Sequence, residues 1–480
     1  MIMQNPVLLI AVPLLLAFLI PVFSSFFKGA VRFIPVLAGG FNVIATALLI
    51  SRASGSVTVT EIGGWASAYG ISLLFSSQIG YVILAVNLTA LLAIFYYTLN
   101  ERDLGSPLAY PIAFTLALSG ANGMIMTGDL FNLFVFMEMT AIAGYIIAVH
   151  KKGYLGTFRF VVLSSVGSAL FLMATAALYN ATGFLNMALA GKSLGALAAP
   201  FISIISVLFI MALSSEAELL PLNGWVAPVY KESSGAGSVF FASVFSGAAL
   251  FAVIKVMLIV FGNNYAYVHQ GLLVLGLVTL AAGEAAAFKQ SNLKKMVAYS
   301  SIAQSGLIIA AVAAAMRSGV LHNGLFSAAL FQLINNILAK ALVLLGIALL
   351  GLATLKEIGG AGTRKKWLGV FISAGVLSLI GMPGFAGFWS KLFLVRELVG
   401  SGMFVFTLVF LLAALFEAYY YLRFLQSLFL GKSTTAASLP KTSWVTTILL
   451  FVLAVLIILI GFAPDVIIRA ISGLSLGGVL

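Results

Sequence analysis

The chain has 480 residues, 62% hydrophobic and only 8% charged, with a formal net charge of +12. A soluble domain of this length would carry roughly a quarter charged residues, so the polar surface is too small to cover a water-soluble particle. No cysteine is present and His150, His269 and His322 stand at no ligand spacing, which excludes disulfides and thiolate chemistry and argues against a protein-held metal, haem or other cofactor.

Apolar runs long enough to cross a bilayer as helices recur from end to end, and the alternation of a strand barrel is absent. Spans are predicted near 5–27, 31–51, 78–99, 108–127, 130–149, 157–180, 198–220, 236–262, 268–289, 294–316, 319–351, 367–397, 402–430 and 444–471. The expected fold is therefore all-α, a polytopic membrane protein of about fourteen helices. The first run has no basic segment before it and is too long for a signal core, so it reads as a first helix. The stretch 52–77 is polar, Gly-rich and β-branched, and reads as an extended or hairpin-like loop. Gly-rich strings at 39–42 and 233–238 read as loops or packing residues, and there is no P-loop, so no redox or nucleotide site of its own is expected.

The 25 lysines and arginines divide unevenly between the faces. Arg52, Lys192, Arg317, Arg396 and Arg469 fall on one side, and Lys255, Lys340 and Lys391 fall inside spans. The rest, among them Lys28, Arg102, Lys151, Lys152, Arg364 and Lys441, share the other side, which the positive-inside rule makes cytoplasmic with both termini outside. This bias accounts for the basic charge without a nucleic-acid partner.

An ionisable group at mid-bilayer costs about 2.5–3.5 kcal/mol on insertion scales, so such residues face a bundle interior or a hydrated path. Glu138, Lys340, Lys391 and Glu417 lie nearer span centres and are expected on a polar axis, with Glu216 and Glu218 as further candidates. Glu284 and Lys255 lie near span ends, where a helix-end residue that snorkels or a structural ion pair is expected. Two helices read as broken, one at Pro221 after the run 198–220, the other at Pro383 inside 367–397, where Gly381, Gly384 and Gly387 add freedom. Charged residues beside two breaks suggest inverted repeats around a mid-membrane ion path. The expected organisation is 1–107 with helices one to three and an external loop, 108–262 and 268–430 as two five-helix repeats, and 444–480 as a last helix.

Several motifs, in order, resemble one family. GDLFNLFVFMEM at 128–139 resembles the GDLFNLFVFFE signature of the D subunit of Mrp-type cation/proton antiporters. NLKKMVAYSSIAQSG at 292–306 resembles DLKRLLAYSSISHIG, and FQLINNILAKALVLL at 331–345 resembles FHLLNHALFKALLFL. GMPGFAGFWSKLFL at 381–394 resembles GLPPLSGFVGKFLL, and EAYYYLRF at 417–424 resembles a helix with YYYLR. The same motifs are similar to those of antiporter-like complex I subunits and of the H subunits of archaeal membrane-bound hydrogenase and sulfur-reducing complexes. The resemblance implies fourteen helices, two inverted repeats and a mid-membrane row of charge and water that carries protons or exchanges them for sodium. It implies that Glu138 is the key glutamate of helix five, Lys340 the lysine of the central helix and Lys391 that of the broken helix. It also implies sibling membrane subunits as partners and the plasma membrane of a prokaryote as the location. The chain ends soon after the last predicted span, without the long lateral helix of the largest complex I relative, so an Mrp-D-like or hydrogenase-type role is expected.

The departures matter as much. Glu216 stands where the family has a lysine, Asn223 where it has a histidine, and VAPVY at 226–230 replaces its LPDAH. Gly247 aligns with a second lysine, Gln332 and Asn336 with two histidines, and Gln304 with a third. Two acids repel where a Glu–Lys pair would attract, and amides bind water but take up no proton near neutral pH. One expectation is a subunit that still moves protons or sodium, through Lys340, Lys391 and Glu417, with Glu138, Glu216 and Glu218 supplying oxygen ligands suited to sodium. A second is a degenerate structural subunit. A third, from outside the family, is a stand-alone small-molecule secondary transporter.

Overall fold

In a bilayer a backbone can satisfy its own N–H and C=O groups only as a helix or a closed barrel, and the apolar runs fold accordingly. The computed structural model describes residues 5–27, 29–53, 56–101, 106, 108–150, 153–262, 265–317, 321–432 and 443–471. Lys28, Arg102, Lys151, Lys152 and Lys441 of the charge division lie outside these. The chain enters through α1 (Leu8–Phe26) and α2 (Val31–Arg52), then a two-stranded antiparallel hairpin of β1 (Thr58–Glu61) and β2 (Ser72–Phe75) in the predicted loop. It continues through α3 (Ser77–Asn100), α4 (Ala109–Met126), α5 (Leu130–Ala148), α6 (Tyr154–Thr182), a short α7 (Met187–Ser193), α8 (Ala199–Glu216) and α9 (Val226–Glu232). Next come α10 (Gly235–Phe261), α11 (Ala266–Phe288), α12 (Leu293–Met316), α13 (Asn323–Leu350) and α14 (Ala361–Arg364). The chain closes with α15 (Lys366–Ile380), α16 (Ala386–Gly400), α17 (Phe404–Leu430), α18 (Trp444–Phe462) and α19 (Pro464–Ile471). Among the described residues thirteen helices are long and apolar enough to cross a membrane.

Helix ends follow local chemistry. Ser76, Asp129, Asn186, Ser234 and Asn292 each accept a backbone N–H from the first turn of the helix they precede, as short polar N-caps do. Asp129 is therefore the cap of α5, accepting from Asn132 N at 2.7 Å, while the preceding Gly128 donates its N–H to Ser72 O at 2.8 Å. The polar half of the GDLFN motif is thus explained by the junction between hairpin and helix. Gly183, Gly351 and Gly381 close α6, α13 and α15 in the left-handed conformation.

Packing sorts the helices into inner and outer. The apolar window of α10 is 100% buried and those of α12 and α13 are 94% buried, against 28% for α1 and 39% for α17 and α18. Outer helices leave Phe18, Leu37, Leu415 and Phe462 exposed, as suits lipid. Buried α10 carries two π-helical stretches, Phe240–Phe245 and Met257–Phe261, a feature frequent at functional sites. Small residues let backbones meet: a Cβ on Gly306 of α12 would stand 2.5 Å from Gly276 O of α11, and one on Gly283 would stand 2.6 Å from Ala303 N.

The predicted break at Pro221 comes earlier: α8 stops at Glu216, and Glu218 holds a left-handed φ of 62°. Trp225 Nε1 donates to Ser215 O at 2.8 Å and Leu219 N to Ser214 O at 3.0 Å, so partners of the open end set the stop, not the proline. The predicted span 367–397 is two helices, α15 and α16, meeting across the glycines around Pro383. Replacing Gly306 by valine is expected to force α11 from α12 and lower stability by roughly 1–3 kcal/mol, as overpacking does, read as a lower thermal midpoint in detergent.

Candidate ion-translocation axis

A helix that stops inside the membrane leaves carbonyls without partners. At the end of α15 the Lys391 ammonium, reaching back from α16, donates to Leu379 O at 2.6 Å and Ile380 O at 3.2 Å. The same ammonium makes a salt bridge with Glu417 of α17. One cation thus satisfies a helix C-terminus, where positive charge is favoured, and a buried carboxylate. The second oxygen of Glu417 accepts from Gln304 Nε2 at 3.0 Å, Gln304 Oε1 accepts from Gln332 Nε2 at 2.6 Å, and Gln332 Oε1 accepts from Ser390 Oγ at 2.6 Å. Ser390 precedes Lys391, so the bonds close a ring through α12, α13, α16 and α17. Of the expected axis residues, the structure brings Lys391, Glu417 and Gln332 together in this ring.

Lys340 of α13 is fully buried, and its ammonium has no hydrogen-bond partner among the described residues. Glu218, Glu417 and Glu284 are the acids in electrostatic reach of it. Glu218, at the end of the first break, accepts from Tyr230 Oη at 2.7 Å, and Tyr230 Oη is 3.3 Å from Ser301 Oγ of α12. Lys340 thus has the acid of one broken helix and the carboxylate of the other's ion pair both in electrostatic reach.

The N-terminal acids are arranged differently. On α6, Ser164 donates to Glu216 at 2.5 Å, and one turn on Ser168 donates to Glu138. Glu216 is buried, while Glu138 is half-buried. The two carboxylates stand within electrostatic reach of each other, serviced by hydroxyls. Phe160 stacks on Trp225 at 4.3 Å between centroids and seals the break behind Glu216. Gly247 of α10 lies against Ile337, 2.7 Å from where its Cβ would be, so a longer side chain has no space without a shift.

Asn336 is buried but does not join the ring, and its Oδ1 has no partner among the described residues. Its neighbour Asn335 instead accepts from Ser378 Oγ at 2.7 Å, and Ser378 Oγ accepts from Gly387 N at 3.1 Å, which ties α13 to both halves of the broken helix. Two span-end expectations fail. Lys255 does not snorkel: its ammonium is buried and donates to Met124 O at 2.8 Å and Ile125 O at 3.1 Å, at the end of α4. Glu284 is 2% exposed, points inward and forms no ion pair among the described residues. Sequence reasoning missed Ser164, Ser168, Tyr230 and Ser390. The signal it had for the first two was two hydroxyls four residues apart in an apolar helix, one face of a helical turn.

A multi-pass bundle with charged and amide side chains joined in its interior, beside two helices broken within the membrane, defines a class of membrane protein built around a polar axis. The chain belongs to the family described as NADH:quinone oxidoreductase/Mrp antiporter, TM, whose model matches residues 127–417. It is 28% identical over 436 residues to the D subunit of the Na(+)/H(+) antiporter of Bacillus subtilis, covering 90% of this chain and 88% of the relative. The same antiporter component of Alkalihalophilus pseudofirmus is 28% identical over 302 residues, 61% of each chain, so the match spans under two thirds of that relative. The N subunit of the NADH-quinone oxidoreductase of Desulforudis audaxviator is 30% identical over 447 residues, 88% of this chain and 86% of the relative. A chain in the structure of the membrane-bound sulfane sulfur reductase, an archaeal respiratory membrane complex, superposes with a TM-score of 0.89 at 30% identity, covering 98% of this chain and 96% of that one.

Removing one partner of a buried ion pair leaves an uncompensated charge, which costs about 3–5 kcal/mol. Lys391→Ala is expected to show that loss, and Lys391→Met combined with Glu417→Gln a smaller one. A double-mutant cycle of Lys391→Met and Glu417→Gln on detergent unfolding checks it; a double-variant loss equal to the sum of the two single losses would mean that the pair does not couple.

Proposed function

We propose that this chain is an antiporter-like subunit of a multi-subunit membrane complex, in which it moves protons, sodium ions or both in step with redox chemistry or cation/proton exchange carried by the assembly. The observation that carries the reading is the ring around the Lys391–Glu417 pair, with Lys340 in electrostatic reach of both Glu417 and Glu218. An ion pair of this kind switches. Protonation of Glu417 removes the counter-ion of Lys391, whose ammonium then leans on the Leu379 and Ile380 carbonyls, and the unpartnered Lys340 feels the change through its reach to Glu417. Gln304 and Gln332 hold the carboxylate in place without titrating. Charge moves along the row by shifts in pairing and need not cross it as one particle. The two halves, about 108–262 and 268–430, act as the inverted repeats that carry the two breaks.

The relatives are named as subunits of antiporters and respiratory complexes, which supports sibling membrane subunits as partners here. The half-buried Glu138 on α5 is the group through which a neighbouring subunit would couple to the axis. The plasma membrane of a prokaryote, with the lysine-rich loops inside, fits the charge bias.

One arrangement favours a second reading, a structural subunit with little translocation of its own. Glu216 stands where the resemblance places a lysine, it and Glu138 meet serines instead of a cation, and Gly247 offers no titratable group. The same hydroxyl- and carboxylate-rich pocket supplies the hard oxygens that a sodium ion takes, so it does not by itself decide against transport.

Vesicles bearing the intact complex decide between the two. In the first reading Lys391→Ala abolishes proton and cation uptake while assembly is retained, and Glu138→Gln reduces it. Wild-type uptake in both variants would leave the structural reading.

A further inference from the structure

Glu284 has no place in the axis as the sequence motifs define it. It sits one turn before the end of α11, is 2% exposed, and neither carboxylate oxygen has a hydrogen-bond partner among the described residues. Tyr420 of α17 stands beside it, fully buried, and its hydroxyl is also unpartnered, so the two groups adjoin without closing a full hydrogen bond. Glu417 and Lys391 are the next groups in reach, with Lys340 beyond them. Gly283, pressed against the Ala303 backbone, fixes α11 on α12 and keeps the Glu284 side chain turned inward.

The surroundings also have a direction. Along α17, Glu417, Tyr420 and Arg423 follow one another toward one membrane face. Arg423 Nη2 donates to Gln290 O at 2.6 Å and Phe288 O at 3.3 Å, where α11 ends. That face carries Lys289, Lys294 and Lys295. Glu284 of α11 lies six residues before Gln290, as Glu417 lies six before Arg423 on α17, so the two carboxyls stand at similar depth below that face. The titratable and charged groups facing Glu284 are Tyr420 and Glu417 from α17, Lys391 from α16 and Lys340 from α13. On α12, Ser300 and Gln304 meet the same cluster, through Tyr421 and Glu417, and neither titrates. The end of α8, which touches α11 where Leu220 N meets Thr279 Oγ1, directs Glu218 to Tyr230 instead. A carboxyl group buried without a partner lowers stability, so its gain lies elsewhere, in the proton it can hold.

We infer that Glu284, positioned by Tyr420, is a further proton station beside the Lys391–Glu417 pair, on the side of the bundle where α11 and α17 lead to the face carrying Lys289, Lys294 and Lys295. A proton passes from the Glu284 carboxyl to the Glu417 carboxylate. Glu284 is left ionised, Glu417 neutral, and the Lys391 ammonium without its carboxylate. Release of the Glu417 proton onward into the axis restores the ion pair with Lys391, and reprotonation of Glu284 from the basic face completes the reset. This station rests on the translocating reading proposed above.

The test compares proton uptake by vesicles bearing the intact complex for wild type, Lys391→Ala, Glu284→Gln, Glu284→Asp and Tyr420→Phe. Glu284→Gln is expected to lower uptake roughly tenfold or more, within what a positioned proton-transfer group contributes, with the complex assembled. Glu284→Asp is expected to keep part of the rate, and Tyr420→Phe to slow it. In pH-difference infrared spectra of the purified complex, a carboxylic-acid C=O band is expected to vanish in Glu284→Gln. Wild-type uptake in Glu284→Gln with none in Lys391→Ala overturns the station and leaves the translocating reading standing. Wild-type uptake in Lys391→Ala as well removes that reading and the station with it. If Glu284→Gln does not assemble, wild-type rates in both Glu284→Asp and Tyr420→Phe overturn the proposal.

Discussion

Inside a membrane an open helix end has no water to turn to, and this fold meets that constraint with lysines. At the end of α15 the carbonyls of Leu379 and Ile380 bind the Lys391 ammonium, and at the end of α4 those of Met124 and Ile125 bind Lys255. Buried ammonium groups are costly unless fully partnered, so each cation and each helix end makes the other tolerable. The difference between the two sites is the carboxylate. Lys391 has Glu417 and Lys255 has no acid within bonding distance among the described residues. An identical solution to a backbone problem therefore yields an ion pair in one place and a cation held by carbonyls alone in the other.

The first break solves the same problem without a cation. Trp225 and Leu219 deal with the end of α8, Glu218 turns through a left-handed conformation, and its carboxylate is taken by Tyr230. Holding a side chain in that region costs of order 1–3 kcal/mol and persists only where the surroundings over-determine it, typically at functional sites. The surroundings here are the Phe160, Trp225, Phe241 and Phe245 aromatic cluster, which packs α6, the break and α10 into one block. The aromatic cluster lies on one side and hydroxyl-bearing α6 on the other, so the polar contacts of Glu138 and Glu216 are the Ser168 and Ser164 hydroxyls.

Much of this is legible from residues alone. Spans follow from apolar length, the second break from Pro383 with its glycines, and the burial of Lys340, Lys391 and Glu417 from the cost of charge at mid-span. What cannot be read has physical reasons. Helices apolar all round carry little periodic contrast, so the inward face of α11 is hidden and Glu284 reads as a span-end residue. The stop of α8 depends on Trp225, which lies beyond the break and reaches back to Ser215, a contact no local rule anticipates. Motif likeness points to Asn336 rather than Asn335 at the axis because it ranks positions by their chemistry elsewhere. The structure gives the bonding role to the neighbour, which faces Ser378 and Gly387.

The ring has a handedness in its bonding. Ser390 donates to Gln332, Gln332 to Gln304 and Gln304 to Glu417, so three dipoles point head to tail at one carboxylate. An amide turns its donor and acceptor together, so no member can reverse alone without setting two acceptors or two donors face to face. Reversal must be concerted, and aligned dipoles strengthen one another in a medium of low dielectric. The reversed row would set the Gln304 carbonyl against a Glu417 oxygen, which requires that carboxyl to hold a proton. The bonding direction of the row is therefore tied to the charge on Glu417, and a change in it requires no moving helix.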